Sequence, residues 1–286
     1  MAIDTDNENE MLLQHTVNDT TVKKGICSAT VIASTRNPYT GTVITTMELV
    51  YPRFIHSEFM THRMFSRNAS SSRAIPVERL INEATVTPIH WTKNEKGMVG
   101  KETFSEDDIE RLKAQWACAR YGAKYNARNM SFIGVHKQVA NRLLEPFSFI
   151  RVVCTATEWD NFFTLRMAPD AEPHMNDLAH AIYDSMYNSV PIEALEHKPY
   201  CDNLPKDFHE PWIVSGARCA RVSYNKYTGV PSIVSEDTKL YKSLRDNGHM
   251  TPLEHYCFAY NDKGFYANLR SWASHRYCIE HKLMEI

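Results

Sequence analysis

One short segment of the chain concentrates side chains that bind anions. It reads Thr61-His62-Arg63-Met64-Phe65-Ser66-Arg67-Asn68-Ala69-Ser70-Ser71-Ser72-Arg73. Arginine presents a planar fork that matches phosphate oxygens, and serine hydroxyls with free backbone N–H groups add further donors. The same composition is typical of a solvated serine-rich loop, so the residues alone leave both interpretations open.

Three further residues have types that suit a binding site, although each also has an ordinary structural explanation. Arg142 follows an apolar helical face, where its stem can cover apolar surface while its head reaches solvent. Arg166 can form a surface ion pair. His249 precedes Thr251 and Pro252, where a histidine more often caps or turns the chain than binds a ligand. Taken singly, none of these residues indicates a function.

Four blocks taken together resemble the flavin-dependent thymidylate synthases. In the first block, the spaced pattern of that family is carried by His62, Arg63, Ser66, Asn68, Ser71 and Arg73. The second block is 139–146 (VANRLLEP), the third is 159–166 (WDNFFTLR), and the fourth is 248–255 (GHMTPLEH), preceded by 220–224 (ARVSY). In the usual order of the family the fourth block precedes the first, so the resemblance covers most of the chain from about residue 44 in a permuted order. Such a permutation allows the same packing when the original ends lie close together.

The resemblance implies a site for FAD and for a pyrimidine deoxynucleotide. The implied FAD-binding residues are His62, Arg63, Asn161, His249 and Thr251. The implied nucleotide-binding residues are Glu58, Ser71, Ser72, Arg73, Arg142 and Arg166, with Arg73, Arg142 and the Ser71-Ser72 backbone at the 5′ phosphate. Arg166 is the predicted catalytic residue, because a cation beside the uracil carbonyl stabilises negative charge that develops on the ring.

The implied reaction is the reductive methylation of dUMP to dTMP with NADPH and 5,10-methylenetetrahydrofolate, in a homotetramer with sites at subunit interfaces. Five positions differ from the family pattern: Glu58 replaces a glutamine, Thr61 an arginine, Ala69 an acidic residue, and Thr155 and Thr157 an asparagine and an arginine. A carboxylate only accepts hydrogen bonds, whereas an amide also donates them, so base recognition can differ. Methyl or hydroxymethyl transfer to another nucleotide such as dCMP therefore stays open, as does a non-catalytic nucleotide-binding relative. A partial echo of the first block stands at Ser274-His275-Arg276.

A cysteine-dependent pyrimidine methylase or hydroxymethylase is the rival class of enzyme. That chemistry needs an activated thiolate near a base or a cation. Cys201 is the best candidate, although no histidine adjoins it, and Cys154 lies in an apolar run typical of a core strand. The seven cysteines form no CxxC pair, and the thirteen histidines show no His-Glu-x-x-His spacing. The sequence therefore predicts neither a disulfide framework nor a metal site.

The candidate residues need a scaffold, which apolar patterns supply. Apolar runs at 27–33 and 44–51 flank a turn that contains Asn37, Pro38 and Gly41, which predicts a hairpin. Further predicted strands are 149–156 and 218–224, with a loop at 66–73 and a connector at 189–211. Predicted helices begin at Pro52 and at Ser105 and cover 175–186 and 235–247, with Gly248 as a stop. The expected fold is α/β (α+β), a central mixed or antiparallel sheet flanked by helices.

Composition sets the outer limits of this interpretation. The chain has 286 residues and is 43% hydrophobic, which is enough for a genuine core. Because 32 Lys and Arg nearly balance 34 Asp and Glu, no overall field favours nucleic acid or an anionic membrane. The sequence shows neither an apolar run of about 20 residues nor a signal peptide, so the cytoplasm is the expected compartment. Residues 1–24 are expected to form a flexible arm, and 25–286 a single catalytic domain.

Overall fold

The computed structural model describes residues 20–205, 207–223 and 232–284. Its main sheet contains, in spatial order, β1 (Val22–Lys24), β2 (Cys27–Arg36), β3 (Val43–Pro52), β5 (Phe149–Ala156) and β4 (Ser66–Ala69). These neighbours are antiparallel, while the short β6 (Ile192–Glu193) runs parallel to β2. The predicted mixed sheet, the hairpin β2–β3 and the strand β5 are confirmed.

The main sheet has one apolar face, because successive strand residues point to opposite sides. That face packs against α6 (Pro173–Tyr187), the helix predicted at 175–186. The buried side chains in this core include Met47, Leu49, Val152, Cys154, Phe162, Met175, Leu178 and Ile182. The core therefore lies between the sheet and α6, with α5 (Asp160–Arg166) at its edge.

The other face of the sheet carries buried polar side chains beside apolar ones such as Ile44 and Val153, and it is covered by the C-terminal third of the chain. Thr46 and Thr155 pair across β3 and β5 on this face, and both are fully buried. The cover consists of α7 (Pro211–Ser223) and a small sheet in the order β11 (Trp272–Ser274), β8 (Cys257–Ala259) and β7 (Glu196–His197). The strand predicted at 218–224 is wrong for 218–223, because these residues continue the helix α7, in which Val214 and Ala217 are buried at i, i+3 spacing. Residue 224 lies outside the described ranges.

A second, smaller apolar cluster sits under a long helix. It is formed by α2 (Val77–Glu83), α3 (Glu106–Ile133), α4 (Lys137–Ala140) and the 3₁₀ helix Asn141–Phe147. The predicted N-cap of α3 is confirmed, since Ser105 Oγ accepts from the N–H of Asp108 at 3.2 Å. The helix ends at Gly134, whose φ of 97° suits glycine.

Two predictions around the first block are wrong in their details. Pro52 ends β3 instead of starting a helix, and it is followed by the 3₁₀ helix Arg53–Ile55 and a single turn, α1 (His56–Phe59). Thr61 Oγ1 donates to the backbone oxygen of Glu58 at 2.7 Å, a local bond that competes with helix continuation. The predicted loop at 66–73 instead begins with β4, because its backbone pairs with β5.

The remaining elements connect and close the C-terminal cover. They are α8 (Val234–Asp246), the 3₁₀ helix Thr251–Glu254, the β-hairpin β9 (Phe265–Tyr266) and β10 (Leu269–Arg270), and α9 (His275–Glu280). Gly248 has a φ of 71° and follows α8, as predicted. The predicted connector 189–211 contains β6 and β7. Strand β1 lies within the predicted arm 1–24, of which residues 1–19 are outside the described part of the chain. None of the described helices is long and apolar enough to span a bilayer.

Candidate functional site

Arg166 and the loop after α1 form a compact polar cluster. Arg166 is the last residue of α5, and its Nε donates to His62 Nε2 at 2.9 Å. Its Nη2 donates to Thr61 Oγ1 at 3.2 Å, and its Nη1 lies 3.6 Å from Glu58 Oε2. The Arg166 side chain is only 20% exposed, so its guanidinium is held in one orientation. The structure thus brings together Glu58 and Arg166, which were predicted for the nucleotide, and His62, which was predicted for FAD.

The hydrogen bond from Arg166 fixes the protonation state of His62. Arginine only donates, so His62 Nε2 must carry a lone pair and the proton of the neutral ring must be on Nδ1. Burial, with help from the charges of Arg166 and Arg67, lowers the pKa of His62 to about 4. Burial also raises the pKa of Glu58; Glu172 adds to that rise and Arg166 opposes it. Near neutral pH, His62 is therefore uncharged and Arg166 is the fixed cation of the cluster.

Glu145 joins the two segments that were predicted to bind phosphate. Its Oε1 accepts from Ser72 Oγ at 2.6 Å and from Arg142 Nη1 at 2.8 Å. Arg53 Nη1 lies 3.9 Å from the same oxygen, and Arg53 Nη2 donates at 3.1 Å to a backbone carbonyl of the serine segment. One carboxylate therefore faces two arginines, and Arg73 is exposed on the adjoining turn. Three arginines and one carboxylate therefore share this region, and this excess of positive charge is what an anion-binding site requires.

The side chain of Asn141 supports the turn that carries Ser71 and Ser72. Asn141 Nδ2 donates to the backbone oxygens of Ser72, at 2.7 Å, and Ile75, at 2.9 Å. Since the hydroxyl of Ser72 is committed to Glu145, this residue can offer a phosphate only its backbone, which is the role predicted for it. Arg53 Nε and Asn141 Oδ1 in this region are among the buried side-chain atoms that have no hydrogen-bond partner in the described part of the chain. Buried unpaired groups of this kind commonly await a ligand or an ordered water.

The side chains predicted for FAD, apart from His62, lie at the surface. Asn161 is on α5, Arg63 follows His62, and His249 and Thr251 lie at the start of the Thr251–Glu254 turn. Within the described ranges, no hydrogen bond or ion pair engages these four exposed side chains. An available cation, amide, imidazole and hydroxyl suit a flavin ring and its diphosphate. The donor set therefore fits FAD.

The segments displaced in sequence pack against the first block in space. Asn268 Nδ2 donates to Ser66 Oγ at 3.1 Å and to a backbone carbonyl of the His-Arg loop at 3.0 Å. Asn68 Nδ2 donates to the backbone oxygen of Cys219, in α7, at 2.7 Å. The Thr251–Glu254 turn lies directly against β4. The fourth block is therefore adjacent to the first, although they are far apart along the chain.

The echo at Ser274-His275-Arg276 packs on the displaced block. Arg276 Nη1 donates to Glu254 Oε1 at 2.6 Å, and His275 Nε2 lies 2.6 Å from Tyr241 Oη. Ser274 caps α9 by accepting from the N–H of Tyr277 at 3.1 Å. These contacts give the echo a structural role in holding the Thr251–Glu254 turn in place.

Two residues of this site, Arg53 and Glu145, were not predicted from the sequence. A signal existed for Glu145, which stands three residues after Arg142 in a segment with helical spacing. Nothing in the sequence pointed to Arg53, because only the fold brings it to Glu145. Thr61 replaces the arginine of the family pattern, and its hydroxyl receives a hydrogen bond from Arg166.

The alternative chemistries find little support in the structure. Cys201 is buried, and burial raises the pKa of its thiol to about 12. Burial likewise raises the pKa of the Cys154 thiol. Thiols of this kind are inert, because the thiolate is the nucleophile. In the part of the chain that the structure describes, no three His, Cys, Asp or Glu side chains are arranged to hold a metal ion.

Comparison with known proteins identifies the family. The family described as thymidylate synthase complementing protein matches residues 30–192, which is more than half of the chain and includes the first three blocks. The chain is similar to the UMP/dUMP methylase PolB from Streptomyces cacaoi bound with 5-Br UMP, with 13% identity, coverage of 56% of this chain and 88% of that chain, and a TM-score of 0.46. For the same protein bound with 5-Br dUMP, the identity is 14%, the coverage is 58% of this chain and 92% of that chain, and the TM-score is 0.47. No match was found among curated proteins. The chain belongs to the thymidylate synthase complementing protein family, the flavin-dependent thymidylate synthases.

Proposed function

We propose that the protein is an FAD-dependent thymidylate synthase that converts dUMP to dTMP with 5,10-methylenetetrahydrofolate and NADPH. The observation that carries the proposal is the cluster around Arg166. Two separate blocks of the family pattern, one ending in Arg166 and one containing His62, converge on a single half-buried guanidinium at 2.9 Å. Membership of the family supplies the reaction class for this site.

Arg166 acts in this proposal as the electrostatic catalyst. When bound, FAD supplies the hydride and the folate supplies the one-carbon unit, so the protein orients and polarises the substrate. The neutral ring of His62 accepts from Nε, while the outer nitrogens Nη1 and Nη2 lie beside Glu58 and Thr61 and each keeps a second N–H for a pyrimidine carbonyl. A preorganised donor at developing negative charge is worth roughly 10²- to 10³-fold in rate.

The nucleotide phosphate is assigned to the region around Glu145. Arg142 and Arg73 supply charge there, and the backbone of Ser71-Ser72 supplies N–H donors. Arg142 shares its cation with Glu145 in the structure, so phosphate binding exchanges one anion for another at that side chain. Each charge-assisted hydrogen bond contributes about 1.5–3 kcal/mol. Arg53, with its buried unpaired Nε, stands behind this region as a further source of positive charge.

FAD is assigned to the exposed donors and to His62. Arg63 and His249 suit the diphosphate, while the Asn161 amide and the Thr251 hydroxyl suit the ring edges. We also assign the protein to the cytoplasm as a homotetramer with sites between subunits. Its partners are then small molecules, without nucleic acid or membrane.

The specific observation that favours a second candidate is Glu58. Its carboxylate lies 3.6 Å from Arg166, where the family pattern has an amide. An acceptor-only group pairs well with the exocyclic amino group of cytosine, so methyl or hydroxymethyl transfer to dCMP is the alternative substrate assignment. A relative that binds nucleotide without catalysis is the remaining alternative.

The first test is a visible absorption spectrum of the purified protein, followed by anaerobic titration with dUMP and with dCMP. A bound flavin whose absorption band shifts with dUMP is the expected result, and turnover with NADPH and methylenetetrahydrofolate should follow. A flavin that responds only to dCMP would transfer the assignment to the alternative substrate. A colourless protein that does not take up added FAD would overturn the proposal.

A matched pair of variants tests the phosphate assignment. Arg142→Gln should weaken dUMP binding about tenfold or more, because one charge-assisted bond is lost, while bound flavin is retained. Arg111→Gln removes an exposed cation from α3 and should leave the titration unchanged. Equal effects of the two substitutions would refute the placement of the phosphate beside Glu145.

A further inference from the structure

We infer that His56 binds the 5′ phosphate of the nucleotide by donating a hydrogen bond from its Nε2. The inference rests on the proposed function, because it assumes that a nucleoside monophosphate occupies the region beside Glu145. His56 lies outside the four blocks of the family pattern. It begins α1, the single turn that also carries Glu58. The pattern therefore did not imply a role for His56, and the argument comes from its surroundings in the fold.

His56 and Arg53 lie on one face of the turn that follows β3. They are three residues apart, the spacing at which side chains of a helical turn are neighbours. Arg53 Nη1 lies 3.9 Å from Glu145 Oε1, the oxygen that also accepts from Arg142. The charges of Arg53 and Glu145 both act on the His56 ring. His56 therefore lies at the edge of the region to which the phosphate is assigned.

A buried tyrosine fixes which nitrogen of His56 carries the proton. Tyr51 Oη lies 2.9 Å from His56 Nδ1, and no other hydrogen bond engages this oxygen in the described part of the chain. Tyr51 is fully buried, and burial raises the pKa of its phenol well above the usual value, so the phenol keeps its proton. If Nδ1 donated, that buried proton would have no acceptor, which is costly. The phenol therefore donates to Nδ1, and the proton of the neutral ring is on Nε2.

The protonated nitrogen of His56 is open to solvent. Nε2 has no hydrogen-bond partner within the described ranges, and it is not among the buried side-chain atoms that lack one. The rest of the side chain is half-buried. Burial, together with the charges of Arg53 and Arg67 and against that of Glu145, lowers the pKa of His56 to about 4. Near neutral pH the ring thus presents a neutral N–H donor in one fixed tautomer.

The charges around the ring favour an anion as the acceptor. Two cations, Arg53 and Arg67, act on the ring together with the carboxylate of Glu145. Arg142 brings a third cation to the same carboxylate. A sugar hydroxyl would leave this excess of positive charge unbalanced, whereas a phosphate dianion offsets it. A hydrogen bond to an ionised acceptor is also stronger than one between neutral groups.

The turn α1 contacts both ends of the nucleotide in this assignment. Glu58 is two residues after His56, a spacing at which helical side chains point to different sides. Its carboxylate lies 3.6 Å from Arg166, which is assigned to the pyrimidine carbonyl. His56 faces the phosphate region instead. One short turn of the chain therefore sets the distance between the base contact and the phosphate contact.

Two amide substitutions separate phosphate binding from support of Tyr51. His56→Asn places an oxygen near the position of Nδ1, where it can accept from Tyr51, but its side chain is too short to donate at the position of Nε2. His56→Gln extends to that position and keeps a donor there. If His56 binds phosphate, Asn is the harmful substitution and Gln the tolerated one. If His56 only supports Tyr51, the order is the reverse.

The first experiment measures the dissociation constants of dUMP and dCMP by isothermal titration calorimetry, on the full chain saturated with FAD. His56→Asn should weaken binding of the preferred nucleotide about tenfold or more, because one hydrogen bond to a charged group is lost. His56→Gln should bind nearly as tightly as wild type. Deoxyuridine, which has no phosphate, should bind wild type and His56→Asn equally. The matched control His180→Asn changes a half-buried histidine of α6 and should keep the wild-type affinity.

The outcomes separate this inference from the proposed function. A wild type that binds neither dUMP nor dCMP overturns the proposed function and the inference with it. A wild type that binds nucleotide no more tightly than His56→Asn overturns the inference alone. The inference is also overturned if His56→Gln binds as weakly as His56→Asn, or if His56→Asn weakens deoxyuridine as much as the nucleotide. Melting temperatures check that both His56 variants are folded.

Steady-state kinetics provide a second, independent measurement. The phosphate takes no part in the reaction, so its contacts bind ground state and transition state equally. His56→Asn should therefore raise KM for the nucleotide about tenfold or more and leave kcat unchanged. A lowered kcat with an unchanged KM would assign His56 to the reacting base and would refute the phosphate contact.

Discussion

Hydrogen bonds through two buried histidines link the main sheet to its C-terminal cover. His197 Nδ1 lies 2.8 Å from Thr35 Oγ1, and its Nε2 lies 2.7 Å from Thr46 Oγ1. Thr46 Oγ1 is 2.6 Å from Thr155 Oγ1, which lies 2.8 Å from His255 Nδ1. All five side chains are buried, and His255 Nε2 has no partner among the described residues. The network is therefore closed to water and sensitive to any added charge.

Burial sets the direction of the pH dependence that follows. It lowers the pKa of His255 from 6.5 to about 3, and burial together with the nearby His255 lowers the pKa of His197 to about 3. Both rings are neutral in the folded protein, whereas in the unfolded chain they bind protons below about pH 6.5. Between these limits the unfolded state holds more protons, so stability is lost as the pH falls from 6.5 towards 3.

The expected loss can be calculated from the unfolded pKa. At about pH 5, 1.5 units below the ordinary histidine value, each neutral buried ring costs about 2 kcal/mol of folding free energy relative to about pH 7.5, at 1.36 kcal/mol per unit. The figure is insensitive to the folded pKa as long as this stays below pH 5. His255→Gln keeps an acceptor for Thr155 and removes the titrating group. The variant should therefore lose about 2 kcal/mol less than wild type between the two pH values.

The assay is urea unfolding followed by tryptophan fluorescence, at about pH 7.5 and about pH 5, with equal protein concentrations for every variant. His209→Gln replaces an exposed histidine and is the matched control, which should show the wild-type pH dependence. Other histidines with lowered pKa contribute to the total loss, but they cancel in the difference between wild type and variant. If His255→Gln loses as much stability as wild type on acidification, the reasoning from buried neutral histidine is refuted.

Three further substitutions test other parts of the structure. Arg166→Lys keeps the charge but loses the fork, so kcat should fall roughly 10²-fold or more in a steady-state assay while the melting temperature stays the same. Asp237→Asn removes the charge of a fully buried carboxylate held by Arg218 at 3.2 Å and Arg221 at 3.0 Å, and urea unfolding should show a loss on the order of 3–5 kcal/mol. Ser105→Ala removes the N-cap of α3 and should cost about 1 kcal/mol in the same assay.

The elements that the sequence predicted well are those with a strong and local signal. Strand β5 and the hairpin β2–β3 carry apolar β-branched runs, and α6 shows one uninterrupted apolar face. The start of α3 was predictable because Ser105 and Asp108 form a capping pair within four residues. In each case the information needed lies within one element, which is why pattern and capping were sufficient.

The wrong predictions occur where distant contacts decide the structure. The segment 218–223 has strand-like composition, but as a helix it packs Cys219 and Val222 on Val153 of the sheet, and the backbone of Cys219 accepts from Asn68. Strand β4 looked like a loop because Ser and Asn favour local hydrogen bonds, yet pairing with β5 supplies stronger partners for its backbone. Neither contact can be inferred from neighbouring residues, since both join segments far apart in sequence.

In the candidate site too, the sequence predicted the residues of a local pattern but not the contacts that depend on the fold. The family pattern predicted His62, Arg142 and Arg166, because it records residue types at fixed spacing. It did not predict that the guanidinium of Arg142 donates a hydrogen bond to the carboxylate of Glu145, or that Arg53 lies beside the same carboxylate. Those contacts depend on how the Asn141–Phe147 turn packs on the residues after β3, which only the folded chain reveals.

The polar groups on the covered face of the main sheet find their partners in segments that are far away along the chain. Thr155 and Asn68 point away from the apolar core and would be unpaired if nothing covered them, which is costly for buried polar groups. His255 and the backbone of α7 supply their partners, and Asn268 ties the cover to the His-Arg loop. These hydrogen bonds depend on where the partner groups lie in the folded structure, and they do not depend on the order of the segments along the chain. The hydrogen bonds that join cover and sheet are therefore formed between segments that lie far apart along the chain.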